Sequence, residues 1–213
     1  MNNTTILNST NSAITVTNKE SVMTKVSFLK PTFYLFFLLS LILGLIYPLG
    51  MTVVSQVLLP EKANASLYYD SNGKIIGSEL IGQKFDSPKY LWGRPSASGY
   101  DAKSSGGSNF GPLNPELVKN VQENVDALKS SHPNNNNPIP LDLVTASASG
   151  LDPHISPEAA AWQVGRIARE RGVSQTIVQQ IIQNHTTFPI IGLLGDPTVN
   201  VLGVNLELDA MIK

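Results

Sequence analysis

The stretch Pro31–Pro60, PTFYLFFLLSLILGLIYPLGMTVVSQVLLP, decides how the rest of the chain is organised. It holds no charged side chain, and its core, Phe33 to Val54, is almost wholly apolar. Those 22 residues at 1.5 Å each give about 33 Å of helix, against roughly 30 Å for the hydrocarbon core of a bilayer. Because lipid offers no partner to a bare N–H or C=O group, a helix is the open structure that can cross it. The sequence therefore predicts a transmembrane helix over residues 31–60.

Pro48 lies two-thirds of the way along this helix and predicts a kink, and Pro60 is expected to end it. Gly44 and Gly50 flank the kink, where small residues let a second helix approach closely. The alternative is that these residues carry no information about a partner, because Gly and Pro are common in membrane spans.

A cleaved signal peptide is the rival to a retained span. Lys25 and Lys30 could form its basic region, and Ala63-Asn64-Ala65 has the small-x-small pattern of a cleavage site. However, the apolar core of a signal peptide runs about 7 to 15 residues, and this core runs 22. Its length favours a retained anchor.

Composition excludes several classes of function. The 213 residues have a net charge of −1, so no basic field favours nucleic acid as a partner. There is no cysteine, which removes disulfides, thiolate catalysis and cysteine metal sites. The sequence also contains neither a Walker A motif nor a Gly-x-Gly-x-x-Gly motif, so no pattern indicates a nucleotide site.

Charge around the span predicts its orientation. Residues 1–30, a polar segment expected to be disordered, carry three lysines and one glutamate, a net charge of +2. Residues 61–213 carry 12 basic and 15 acidic side chains, a net charge of −3. By the positive-inside rule, residues 1–30 are cytoplasmic. We therefore expect residues 61–213 to form an extracytoplasmic α+β domain on a single N-terminal transmembrane helix.

Local patterns predict the elements of that domain. Residues 66–82 form a hairpin around Asn72-Gly73, with Leu80-Ile81 extending its second strand. Helices begin after the caps Asn114, Ser156 and Ser174, and the first of them has a buried face. That face comprises Leu117, Val118, Val121, Val125 and Leu128. A final strand covers Val199 to Val204, and Asn205 caps a short terminal turn.

The residues give little support for catalysis or metal binding. Ser108, in Gly-Gly-Ser-Asn, lacks the Gly-x-Ser-x-Gly elbow of a nucleophilic serine. The chain has three histidines, His132, His154 and His185, and they have no metal-ligand spacing. A nest of backbone N–H groups around Gly106-Gly107-Ser108 could hold an anion, but packing of a tight loop is the better explanation of that run.

Two runs of small residues stand out as candidate contact surfaces, and a Trp–Arg pair accompanies them. Small residues let backbones approach closely, which suits either internal loop packing or a flat surface for a partner. Trp162 and Arg166 are typical interface anchors, although a Trp–Arg contact within one helix is the simpler interpretation. The runs are Ser104, Ser105, Gly106, Gly107, Ser108 and Asn109, and Thr145, Ala146, Ser147, Ala148, Ser149 and Gly150.

Seven stretches of the chain, taken in order, resemble the KdpC family, the C subunits of the bacterial high-affinity Kdp potassium-transporting P-type ATPases. Each stretch alone is weak, and their shared order from Phe33 onward is specific. They are Tyr47-Pro48-Leu49, Gly77 to Gln83, Gly93 to Ala97, Ser105 to Asn109, Asn114 to Leu117, Val144 to Asp152, and Ile155 to Pro157 with Ala159 to Gln163.

The resemblance implies a non-catalytic subunit of a pump in the bacterial inner membrane. Its partners would be a channel-like potassium-binding subunit, a P-type ATPase subunit and a small one-span subunit. The complex would handle ATP and potassium, and this chain is expected to bind no cofactor itself. The C subunit is needed for assembly, and it has been proposed to act as a catalytic chaperone that aids ATP binding by the ATPase subunit.

The predicted orientation conflicts with direct contact to ATP, because ATP is cytoplasmic and residues 61–213 are expected outside. An indirect role through assembly or coupling therefore fits better. Two other hypotheses stay open: a free-standing membrane-anchored extracytoplasmic binding module, and an anchored serine hydrolase using Ser108. Residues 1–30 and the Asn134 to Asn137 run have no counterpart in the resemblance.

Overall fold

The computed structural model describes residues 28–189, 192 and 195–211, which fall into two compact units that divide between Met51 and Thr52. The prediction of disorder for the N-terminal segment therefore lies, up to residue 27, outside the described residues. From Leu29 to Leu58 the chain is helical, with α1 at Leu29–Leu41, a π-helical turn at Ile42–Ile46 and α2 at Tyr47–Leu58. This helix is long and apolar enough to cross a membrane, as a single-pass anchor requires. It begins two residues before Pro31 and ends two before Pro60.

The π-helical turn has a local cause in Pro48. Proline has no N–H group, and its ring clashes with the carbonyl four residues earlier, here that of Gly44. Gly44 is the middle residue of the wide turn Ile42–Ile46, which relieves this clash. Apart from chain neighbours and the backbone of the helix itself, no heavy atom of the described residues lies within 4 Å of a Cβ built on Gly44 or on Gly50.

The second unit starts with a short helix and a hairpin. Helix α3 covers Pro60–Ala63, and the antiparallel strands β1, Leu67–Tyr69, and β2, Ile75–Ser78, follow it. The turn between them is confirmed, with Gly73 at φ +76° and the Asp70 carboxylate accepting from two backbone N–H groups. The predicted extension of β2 through Leu80 and Ile81 is wrong. Ser78 Oγ donates to Ala65 O and accepts from Leu80 N, which ends the strand.

The predicted helix starts are confirmed by their caps. Helix α4, Pro115–Ser131, begins where the Asn114 side chain accepts from Glu116 N. Ser156 and Ser174 cap α5, Pro157–Arg171, and α6, Gln175–Asn184, in the same manner. Gly172 ends α5 in the left-handed conformation at φ +67°.

The C-terminal prediction is wrong beyond the first two residues of the expected strand. Three short antiparallel strands form a sheet in the order β3-β5-β4, and β5 ends at Asn200. The β3 strand is His154–Ile155, β4 is Thr186–Thr187 and β5 is Thr198–Asn200. Helix α7, Val201–Met211, follows at once because the Asn200 side chain accepts from Gly203 N at 2.8 Å and caps it. Asn205 is no cap: it is buried in α7 and exchanges hydrogen bonds with the backbone of Leu91.

The hydrophobic core lies where α5, α6 and α7 pack around this small sheet. Its fully buried side chains come from all four elements, so the second unit is a mixed α and β body, as predicted. Its centre consists of Ile167 from α5, Val178 and Ile181 from α6, Val199 from β5, and Val204 and Leu208 from α7.

Candidate interaction surface

The two runs of small residues lie against each other as paired loops. Gly106 N donates to Ser149 O at 2.8 Å, and Ser105 Oγ donates to the same carbonyl at 3.0 Å. A Cβ added to Gly107 would lie 3.0 Å from Ala148 O, so the backbones approach as closely as small residues allow. We call residues 104–109 and 145–150 together the paired-loop surface.

Gly150 fixes the base of these loops. It has φ +67°, and a Cβ there would lie 2.4 Å from Ser98 Oγ and 2.8 Å from Gly106 O. Its carbonyl accepts from Ser96 Oγ at 2.6 Å, and that hydroxyl accepts in turn from Tyr100 N at 2.9 Å. Both the backbone conformation and the lack of space therefore require glycine at this position.

Tyr100 completes the base. Its hydroxyl donates to the carbonyl of Arg94, which ties the turn over residues 96–100 together. Burial raises the pKa of Tyr100 to about 12, and the negative charges of Asp152 and Asp86 act in the same direction. The phenol therefore stays a neutral donor at physiological pH.

Part of the paired-loop surface faces solvent. Its exposed members are Ser104, Ser105, Asn109, Ala148 and Ser149. Ser147 and Gly150 are buried, and the remaining residues of both runs are half-buried. The two runs contain no charged residue, so they present hydroxyl, amide and methyl groups. Such a surface suits a neutral partner that packs closely against it.

The first half of α4 leaves apolar side chains uncovered beside these loops. Of the five residues predicted to form its buried face, Leu128 alone is buried, while Val118 is 65% exposed. The prediction is wrong for Val118, whereas Leu117 is half-buried and Val121 and Val125 pack against the core near Leu128. Leu113, in the loop before α4, is 95% exposed, and Leu141 is 73% exposed.

A shallow cavity of about 250 Å³ lies where α4 meets the paired-loop surface. Its lining includes Phe110 and Leu117 on one side and Thr145 and Ala146 on the other, together with polar residues of α4. Sequence reasoning did not single out Phe110 or Leu113. The available signal was an apolar pair in a loop otherwise rich in Gly, Pro and Asn.

Trp162 and Arg166 lie inside the domain. They are 8% and 1% exposed, so neither offers its side chain to a partner at the surface. The Arg166 guanidinium stacks on the ring of Trp92, 4.1 Å from its centroid, and not on Trp162. The Trp162 ring instead packs against His132, with 4.2 Å between the ring centroids. These two residues therefore stabilise the fold, and we leave them out of the proposed contact surface.

The Asn134 to Asn137 run covers Trp162. Asn135 Nδ2 donates to Trp162 O at 3.0 Å, and Trp162 Nε1 donates to Asn137 O at 3.3 Å. Asn137 N also donates to the Asn135 side chain at 3.1 Å. Asn135 and Asn137 therefore hold this loop against Trp162 through hydrogen bonds. The sequence indicated only that the loop is polar.

The histidines lie apart from the paired-loop surface. His132 Nδ1 is 2.8 Å from Ser131 Oγ, but its Nε2 already accepts from Arg166 Nε, so the ring is no free base. His185 Nε2 pairs with Glu207 at 2.7 Å. No histidine side chain in the described ranges is hydrogen-bonded to Ser108, and those ranges hold no group of three or more His, Asp or Glu side chains placed to bind a metal.

Comparison with known proteins identifies the family. The family described as "K+-transporting ATPase, c chain" matches residues 29–210. The chain belongs to the KdpC family. It is similar to the potassium-transporting ATPase KdpC subunit of Herpetosiphon aurantiacus, 51% identical over 186 residues, which cover 86% of this chain and 96% of the relative. It is also similar to the KdpC subunit of Dechloromonas aromatica, 51% identical over 188 residues, which cover 87% and 98%.

A third relative, the KdpC subunit of Methylococcus capsulatus, is 49% identical over 185 residues, covering 85% of this chain and 97% of the relative. The resemblance seen in the seven motifs is thereby confirmed. The part of this KdpC-family chain that matches begins at Leu29, the first residue of α1, and includes both runs of the paired-loop surface.

Proposed function

We propose that this chain is the non-catalytic, membrane-anchored KdpC subunit of an ATP-driven potassium uptake pump in a bacterial inner membrane. Its N-terminus lies in the cytoplasm and its α+β domain outside. Through the paired-loop surface the domain caps the channel-like subunit near the ion entrance and holds the complex together. The P-type ATPase subunit and the small one-span subunit complete the assembly.

The exposure of the Leu113 side chain is the observation on which this proposal depends. The Leu113 side chain is 95% exposed, beside a neutral surface of small residues. Covering it with another surface would lower the free energy, because it would remove the side chain from water. Phe110 and Val118, which are close to Leu113 in the sequence, and Leu141 are exposed apolar side chains as well. The adjacent cavity of about 250 Å³ could receive one apolar side chain of the partner. An extracytoplasmic loop of a membrane subunit, neutral and apolar at its tip, has the matching chemistry.

Any effect on ATP binding is indirect in this proposal. Residues 61–213 and cytoplasmic ATP lie on opposite sides of the membrane, and residues 1–30 contain no phosphate-binding motif. The chain favours one conformation of the assembled pump, in which the ATPase subunit binds ATP more tightly. A chaperone role of this kind is a shift in the populations of two conformations.

The test is a pull-down of the pump in mild detergent, followed by an assay of potassium-stimulated ATPase activity. Leu113→Glu and Val118→Glu each place a charge on the apolar area, and we expect at least about a 10-fold loss of co-purified channel-like subunit. Phe188→Glu is the matched control, because Phe188 is also bulky, apolar and 65% exposed but follows β4 and lines a different cavity, with residues of α5 and α6. Intact assembly and activity in both variants would remove this surface from the proposal.

One observation favours the second candidate function, a free-standing module that binds a small ligand. Arg94 Nε is buried and has no hydrogen-bond partner among the described residues, and Arg94 lines a cavity of about 440 Å³ with Phe85, Trp92 and Tyr100. If the chain elutes alone as a stable monomer and the pump works without it, this binding function takes the place of the first.

A further inference from the structure

The hairpin of β1 and β2 exposes an apolar patch that the core does not use. Tyr69 and Ile75 are direct cross-strand partners, and they are 58% and 54% exposed. Leu80, in the turn after β2, is 53% exposed, and Ile81 beside it is 38% exposed. Tyr69, Ile75, Leu80 and Ile81 together form what we call the hairpin patch.

The other side of the hairpin is docked on the domain. A Cβ on Gly77 would lie 2.6 Å from the side chain of Leu202 in α7, so backbone and helix are in close contact there. Asn200 Nδ2 donates to Glu79 O at 2.8 Å. These contacts hold the hairpin in place and leave the hairpin patch outward, without a covering element in the described part of the chain.

The hairpin is tied to the last turns of α2, which belong to the same compact unit. Asn64 and Gln56 exchange two side-chain hydrogen bonds, at 3.2 and 3.3 Å. Beyond Asn64 the chain reverses through Ala65 and Ser66, at φ +67° and +45°, and Ser66 N donates back to Glu61 O at 2.9 Å. The start of β1 therefore stays close to Gln56.

That tether sets the depth of the hairpin. Taking Val54, the last residue of the apolar core, as the hydrocarbon boundary puts Gln56 about 3 Å beyond it. The headgroup layer on each side of a bilayer is about 5–7 Å thick. Asn64, hydrogen-bonded to Gln56, lies in that layer, and the hairpin starts from it.

We propose that the hairpin patch lies in the headgroup region of the bilayer and is a second membrane contact of this chain, besides the spanning helix. Tyrosine is enriched at this depth because its ring is apolar and its hydroxyl is polar. Moving isoleucine and leucine side chains from water to the boundary between headgroups and acyl chains lowers their free energy. The contact limits rocking of the domain about the end of its anchor. This proposal requires the membrane anchor and does not depend on the pump subunits.

The absence of cysteine makes the test direct, because a single introduced cysteine is labelled uniquely. We would place a nitroxide at Tyr69→Cys, Ile75→Cys and Leu80→Cys in the full chain, reconstituted in phosphatidylcholine vesicles. Power saturation then compares access of oxygen, which concentrates in lipid, with access of a water-soluble nickel chelate. Leu113→Cys is the control for an exposed apolar position in water, and Val53→Cys is the control for lipid.

We expect the oxygen-to-nickel ratio at the three hairpin positions to be several-fold above that at Leu113→Cys and below that at Val53→Cys. A ratio equal to that of Leu113→Cys at all three positions would overturn the proposal. Labels that are in water in the lone chain and become shielded only when the other pump subunits are added would also overturn it, because the patch would then be a subunit contact.

Discussion

At the scale of single residues, Arg166 shows how a buried cation is accommodated without a carboxylate. Its Nε donates to His132, its Nη1 donates to the carbonyls of Pro88 and Tyr90, and its Nη2 donates to Gln163 Oε1. Burial lowers the pKa of Arg166 to about 10, so the guanidinium stays charged at neutral pH. Four of its five N–H donors are thus hydrogen-bonded, which stabilises a charge buried this deeply. Arg166 therefore joins α5, the end of α4 and the loop over residues 88–92.

His132 makes this cluster sensitive to acid. Burial lowers the pKa of His132 to about 4, and the charges of Arg166 and Arg169 lower it further, against the opposing effect of its bond to Leu128 O. The unfolded chain takes up the proton near pH 6.5, so between pH 6.5 and 4 it binds more protons than the folded chain. Stability therefore falls as the pH falls through this window. We expect a loss of about 2 kcal/mol between pH 7 and pH 5.

Urea unfolding of the full chain in detergent, followed by tryptophan fluorescence, measures that loss, because both tryptophans pack near His132. His132→Gln does not titrate and should remove most of the difference between the two pH values, even if it lowers stability at both. His154→Gln, a half-buried histidine in β3, controls for deleting a histidine elsewhere. An unchanged pH dependence in His132→Gln would mean that another group carries the effect.

At the scale of elements, what the sequence could predict depended on whether the deciding contact was local. The starts of α4, α5 and α6 were predictable because Asn114, Ser156 and Ser174 bond to N–H groups two or three residues away. The valine-rich segment after Asn200 was mistaken for a strand, because its helix depends on burial against the core. The exposure of Leu113 and the burial of Arg166 likewise depend on distant residues, which periodicity does not report.

The pairing of the two small-residue loops gives an element-scale prediction. Gly150→Ala forces a left-handed residue and a clash with Gly106 O, so we expect a loss of roughly 2–4 kcal/mol in unfolding free energy. Gly172→Ala is the matched control, since Gly172 has the same φ of +67° but no atom within 4 Å of the added Cβ. It should lose only about 1 kcal/mol. Thermal unfolding of both variants separates conformational strain from the clash, and equal losses would contradict the close loop contact.

At the scale of the whole molecule, charge and hydropathy act together to set the orientation of the chain. The span carries no charge, so the flanking lysines decide which end stays in the cytoplasm. Lys25 and Lys30 precede it, whereas Lys62 follows it beside Glu61. The difference is two lysines against one, and the net acidity of the C-terminal region adds little to the prediction, because Asp and Glu contribute little to the positive-inside rule. The predicted orientation therefore depends on few charges, and we expect it to be sensitive to their replacement.

This sensitivity gives the last prediction. In intact cells lacking an outer membrane, a membrane-impermeant maleimide should label Lys119→Cys fully if the domain is extracytoplasmic as proposed, because Lys119 is exposed on α4. Ser12→Cys, in the segment before the span, should be labelled only after permeabilisation. Adding Lys25→Glu and Lys30→Glu removes the lysines next to the span, so a fraction of the chains should invert and both patterns should become mixed. Labelling of Ser12→Cys from outside in the otherwise unchanged chain would reverse the orientation and, with it, exclude an extracytoplasmic cap on the channel-like subunit.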